Sequence, residues 1–151
     1  MKLEEAIKTN KFSSQKQKAG LNILYTAWWL KTILSRELKT VGLTHEQYNV
    51  LRILKGKNPE EMCVRDIGSR MIERSSNIPR IIDRLVIKKF VDRASSDIDR
   101  RETVIRLTKD GMHILTLANQ KVNSVFESSV SLGEVESEKI NQLLELLREK
   151  E

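Results

Sequence analysis

The stretch from residue 64 to residue 111, VRDIGSRMIERSSNIPRIIDRLVIKKFVDRASSDIDRRETVIRLTKDG, constrains this chain more than any other. Val64, Ile67 and Met71 recur at helical spacing. The polar run Glu73-Arg74-Ser75-Ser76-Asn77 then breaks the pattern, and Ser75 or Ser76 offers a hydroxyl to the free amides opening a second helix. That helix carries Ile78, Ile82 and Leu85 on one face and Arg80, Arg84 and Lys88, four apart, on another. Strand-like runs at 90–93 and 103–107 flank a turn rich in Ser, Asp and Arg. Two helices and a charged hairpin in succession suit a polyanion.

The 151 residues suffice for one domain, but 32% charged and 5% aromatic residues leave its core thin. Long helices striped with apolar residues around a thin core call for burial against a partner subunit. Net charge is +6 with a pI near 9.5, which favours a polyanionic partner. The basic excess sits in residues 1–40 (eight basic, three acidic) and 65–106 (eleven and seven), whereas 109–151 is acidic (five and eight). Positive charge therefore accompanies the hairpin and the N-terminal arm.

Taken in order, residues 1–12 are polar and are expected to be loosely held. Ser14 with Gln17 forms a capping box for a long helix striped by Leu21, Leu24, Trp28, Ile33, Leu34 and Leu38 and ended by Gly42. Thr44 with Gln47 opens the next, which carries Tyr48, Leu51 and Leu54. Residues 61–63 are a candidate short strand for the hairpin to pair with. Thr108 caps another long helix, residues 131–133 break it, and a last helix carries Val135, Ile140, Leu143, Leu144 and Leu147. The expectation is a mainly α chain of about six helices with a small β-hairpin (α+β), a single domain whose N- and C-terminal helices interlock with a second copy about a two-fold axis.

Nothing in the residues favours an enzyme. Cys63 cannot form an internal disulfide, and its apolar neighbours Met62 and Val64 make it a small buried hydrophobe. His45 and His113 fall in no metal-ligand spacing, and no phosphate-cradling glycine loop or nucleophile elbow is present. No cofactor and no metal are expected. No apolar run approaches the ~20 residues of a membrane span, and the N-terminus lacks a signal-peptide h-region, so a cytoplasmic protein without membrane contact is expected. Trp28 and Trp29 are adjacent and therefore face different sides of their helix; packing is the simpler role for both.

The whole chain, from about Ser14 to Glu149, resembles the MarR family of transcriptional regulators. The carrying residues are Leu43-Thr44 with Gln47 and Leu51, Asp66-Ile67 with Met71, the run SSNIPRIIDRL from Ser75 to Leu85, then Arg93, Asp97, Asp99, Arg100 and Arg101, and Leu107-Thr108 with Gly111. The spacing of Asp99, Arg101, Leu107, Thr108 and Gly111 is the most specific part. The resemblance implies a homodimeric winged helix-turn-helix protein that binds palindromic double-stranded operator DNA, typically as a repressor. Residues 42–107 would form the DNA-binding part, and 12–41 and 108–150 the dimerisation helices.

In a recognition helix the N-terminal residues lie nearest the base edges, which here are Ser75, Ser76, Asn77 and Arg80. Arg84 and Lys88 lie further along, where phosphates are. The resemblance implies a DNA contact for Arg101, beside Arg100 in the wing, and a wing-orienting role for Asp99. It also implies a small lipophilic effector bound between the dimerisation helices and the winged part, with Tyr25, Trp28, Trp29, His45 and Met112 as candidate neighbours. Two residues depart from the family pattern. Pro79 replaces a common Ser or Thr early in the recognition helix, and Lys89 stands where glycine usually ends it; if that site needs positive φ, lysine costs about 1 kcal/mol. A protein-interaction module with a degenerate wing and a nonspecific nucleic-acid binder remain alternatives.

Overall fold

Helix caps delimit the long elements of the fold. In this computed structural model, residues 1–74, 77–96 and 103–149 are described. After a short α1 (Leu3–Ala6), α2 spans Gln15–Thr40, with the Gln17 amide of its first turn accepted by the Ser14 hydroxyl at 3.1 Å. Gln17 reaches back past the cap to the Ser13 amide at 2.7 Å, so the box expected at Ser14 closes one residue earlier. Gly42, at φ +73°, ends the helix: its amide and that of Leu43 turn back onto the carbonyls of Lys39 and Leu38, both at 3.0 Å. Thr44 and Gln47 form the reciprocal box that opens α3 (His45–Lys57).

A short β1 (Met62–Cys63) leads directly into α4 (Val64–Ser69), and α5 follows at Ile78–Ile87. Strands β2 (Val91–Ser95) and β3 (Thr103–Leu107) form the antiparallel hairpin, and β1 joins the far edge of β3 with Met62 opposite Ile105, giving the order β1-β3-β2. Helices α6 (Lys109–Ser129) and α7 (Glu134–Leu147) complete the chain. Mostly helical with one small antiparallel sheet, this is the expected fold class. The described residues hold seven helices instead of about six. The addition is α1, which the burial of Leu3 and a Glu4–Lys18 ion pair hold against the start of α2, so part of the polar arm is anchored.

One core binds these elements. Leu38 of α2, Leu51 and Leu54 of α3, Ile67 of α4, Ile82 and Leu85 of α5, Val91 and Ile105 of the sheet and Leu115 of α6 are buried together. The core stops short of the N-terminal half of α2 and of α7. Leu24 and Trp28 on the N-terminal half of α2 are more than 60% exposed, and α7 buries none of its residues, with Leu143 60% and Leu147 65% exposed. No described helix is long and apolar enough to cross a membrane.

Candidate nucleic-acid interface

The amphipathic α5 is the centre of the candidate surface. Ile78, Ile81, Ile82 and Leu85 turn into the core, so Asn77, Arg80, Asp83 and Arg84 are left exposed. Pro79 occupies the first turn, where its missing N–H has no intrahelical acceptor to lose and its fixed φ suits the helix. Asn77 is the N-cap residue. Arg80 and Arg84, one turn apart, line an open groove of about 340 Å³ with Asn77, Ile81, the α3 cap residue Thr44 and the α3 residues Glu46 and Gln47. The Glu46 carboxyl is held below its ordinary pKa, first by a backbone amide at the α3 N-terminus, which burial partly opposes, with smaller lowering by the Thr44 hydroxyl, Lys31 and His45.

Three contacts set how α5 sits. Its C-terminus closes with the hydrogen-bond pattern that also ends α2: the Phe90 amide bonds the Leu85 carbonyl at 3.0 Å and the Lys89 amide bonds the Val86 carbonyl at 2.8 Å. Lys89 adopts φ +61°, the positive value at which a lysine replaces the usual glycine. The Thr108 hydroxyl then donates to the Lys89 carbonyl at 2.7 Å while accepting the Gly111 amide at 2.9 Å, which joins the α6 cap to the α5 turn. Gly111 has no room for a side chain, because a Cβ there would press into the Phe90 carbonyl and lie 2.9 Å from Leu107 Cδ1. The spacing of Leu107, Thr108 and Gly111 is thus a packing device at the base of the hairpin.

The second contact is Lys88. Its ammonium donates to the Gly42 carbonyl at 2.5 Å and to Gln47 Oε1 at 3.1 Å, so in this conformation it ties α5 to the turn between α2 and α3. The third joins helix and hairpin: Arg93 of β2 meets Asp83 of α5 at 2.5 Å. Across the sheet, Arg106 pairs with Glu61 beside β1. Ser75, Ser76, Asp97, Asp99, Arg100 and Arg101 lie outside the described residues.

Of the five residues expected around an effector, His45 alone lines the cleft beside α3. His45 lines a cleft of about 280 Å³ with Tyr48, Asn49, Arg52, Ile53 and Ile72, which Tyr25, Trp28, Trp29 and Met112 do not line. Tyr25 instead packs on Trp28 with ring centroids 5.6 Å apart, and Trp29 and Met112 are half-buried elsewhere. Within the cleft the Tyr48 hydroxyl donates to Asn119 Oδ1 at 2.9 Å, and Arg52 lies over the Tyr48 ring. The α3 residues that line this cleft beside His45 follow it at helical spacing, at 48, 49 and 52, a stripe that the sequence holds but the expectation did not single out. Among the described residues no group of acids, histidines and cysteine is arranged to hold a metal.

Comparison with known proteins places this geometry. The family model of the transcriptional regulators SarA/Rot matches residues 32–118. The HTH-type transcriptional repressor IacR of Pseudomonas putida is 28% identical over 115 residues, 76% of this chain and 68% of that protein. Matches to further curated regulators span less than two thirds of their length. Among solved structures, AbsC, a MarR family transcriptional regulator from Streptomyces coelicolor, superposes with a TM-score of 0.80 at 23% identity, covering 94% of this chain and 97% of AbsC. Bordetella bronchiseptica BpsR, whose DNA binding is regulated by 6-hydroxynicotinic acid, superposes with a TM-score of 0.79 at 19% identity over 93% of this chain and 99% of its own.

Proposed function

Since the chain belongs to the SarA/Rot family of transcriptional regulators and has the MarR-like winged-helix fold, we propose that it is a dimeric repressor that reads operator DNA with α5. The observation that carries this reading is the α5 surface itself: Arg80 and Arg84 stand exposed beside Asn77, and neither engages a carboxylate among the described residues. A helix of this kind enters the major groove with its N-terminal end leading. Asn77 suits adenine and Arg80 suits guanine, while Arg84 reaches phosphate; Ser75 and Ser76 extend the reading end, and Arg100 and Arg101, oriented by Asp99, take the wing's contacts. Lys88 orients α5 until DNA offers its ammonium a phosphate.

The exposed apolar residues of α2 and α7 support a second copy as the partner that covers them, with 12–41 and 108–150 as the dimerisation helices and 42–107 as the DNA-binding part. Two-fold symmetry then sets half-sites ~34 Å, or ~10 base pairs, apart. A small effector in the cleft of His45, Tyr48 and Arg52, a lipophilic molecule with one polar end, would shift the spacing between the two α5 helices, as support from BpsR suggests. The test is selection from a random-sequence duplex pool by the purified chain, followed by titration of the selected and scrambled duplexes at two salt concentrations. Tighter binding to the selected duplex, with steep weakening by salt, is expected. Equal binding to both overturns sequence reading, and an absence of binding to either overturns the DNA-binding role.

A further inference from the structure

The exposed face of α5 holds one residue of the opposite sign. At 3.6 residues per turn Asp83 lies about 60° around the axis from Arg80 and about 100° from Arg84, within the same arc. Arg80 and Arg84 engage no carboxylate among the described residues, whereas Asp83 is occupied: its Oδ1 meets Arg93 Nη2 of β2 at 2.5 Å. Both side chains are half exposed, at 50% and 40%, and a pair so well solvated adds little to stability. What it does control is where two charges point. The guanidinium is drawn onto the helix, and the carboxylate on the reading face is neutralised.

We propose that Asp83 is a specificity-determining residue: by holding Arg93 against α5 it withholds a phosphate contact available on any sequence, so that base reading by Asn77 and Arg80 dominates affinity. This rests on the DNA-binding reading of α5. Phosphate contacts carry no sequence information, and base-edge contacts do. An arginine released from Asp83 on the rim of the surface would raise affinity for all DNA alike and lower the ratio between selected and scrambled duplexes. Asp83 would also favour sites whose phosphates leave the Asp83–Arg93 pair undisturbed.

The experiment uses the full chain with Asp83→Asn, Arg93→Gln and both together, each checked for an unchanged circular-dichroism spectrum and melt, on the selected duplex and a scrambled one of equal length. Released arginines add one phosphate contact per protomer, so two per dimer. At about 0.9 in slope per contact, the affinity of the Asp83→Asn protein for scrambled DNA should fall about tenfold more than wild type between 50 and 200 mM salt. At low salt it should bind scrambled DNA more tightly than wild type. The double variant should lose that gain, because no arginine is left to release. An Asp83→Asn protein with wild-type affinity and salt dependence on scrambled DNA overturns the proposal. So does a gain that persists in the double variant, since removal of a negative charge then accounts for it. If the wild type itself fails to prefer the selected duplex, the reading of α5 fails first; if the wild type prefers it and Asp83→Asn changes nothing, only this proposal fails.

Discussion

Replacing Lys89 by glycine stabilises the folded chain. Lys89 closes α5 at φ +61°, in the same hydrogen-bonded turn that Gly42 closes for α2 at φ +73°. A side chain in the left-handed region costs roughly 1–2 kcal/mol, because Cβ crowds the following carbonyl oxygen. Glycine removes that cost but gains freedom in the unfolded chain, which offsets about 0.4–1 kcal/mol. The net gain is about 0.5–1 kcal/mol. Two bonds hold the turn whichever residue occupies it, the Phe90 amide to the Leu85 carbonyl and the Thr108 hydroxyl to the Lys89 carbonyl, so the native φ does not relax to avoid the strain. For a chain of this size 1 kcal/mol moves Tm by about 2–4 °C. Melting is to be followed by circular dichroism at one fixed protein concentration, since association of copies would make Tm concentration-dependent. The mirror substitution Gly42→Ala, in open space but at positive φ, should lower stability by a similar amount. A Lys89→Gly protein that melts at or below the wild-type temperature would refute the reasoning.

Four further substitutions act on the same geometry. Gly111→Ala forces a methyl into the Phe90 carbonyl, which is backbone and cannot step aside; a loss of several kcal/mol, on the scale of a severe overpacking change, should appear as a much lower urea midpoint or as insoluble protein. Leu143→Lys with Leu147→Glu touches no core residue, so the monomer fold should persist by circular dichroism while sedimentation velocity reports a shift from dimer to monomer. Arg80→Ala should cost about 1–3 kcal/mol of discrimination at one base position, read by competition with single-base variants of the selected duplex. Arg84→Ala should instead weaken all duplexes alike and flatten the salt slope by about 0.9 per protomer.

Local signals carried most of the fold. Ser14, Thr44 and Thr108 each lie one residue ahead of a helix, where their hydroxyls meet an otherwise unbonded amide, and Gly42 follows one where φ must turn positive. These depend on neighbours within four residues, as does the spacing that buries Ile78, Ile82 and Leu85. The short strand at Met62–Cys63 was legible because it had the hairpin to pair with. What escaped is long-range. Nothing near Leu3 announces that a four-residue helix folds onto α2. Lys88 looks like any solvated lysine until the α2–α3 turn is brought under it, forty-six residues away in sequence. The Asp83–Arg93 pair and the cleft at Tyr48 and Arg52 also arise only when separate elements pack. On the outer face of α5, Asn77, Arg80 and Arg84 stand exposed, whereas of the five residues expected around an effector only His45 lines the cleft with Tyr48 and Arg52.

The central claim is that two copies present α5 to one face of a duplex. Hydroxyl-radical footprinting of the wild-type chain on its selected duplex tests it most directly. Two protected blocks are expected on one face of the DNA, centred about 10 base pairs apart and related by the symmetry of the site, both lost with Arg80→Ala at a concentration that saturates wild type. A single protected block, or protection that survives the Arg80 substitution unchanged, would contradict it.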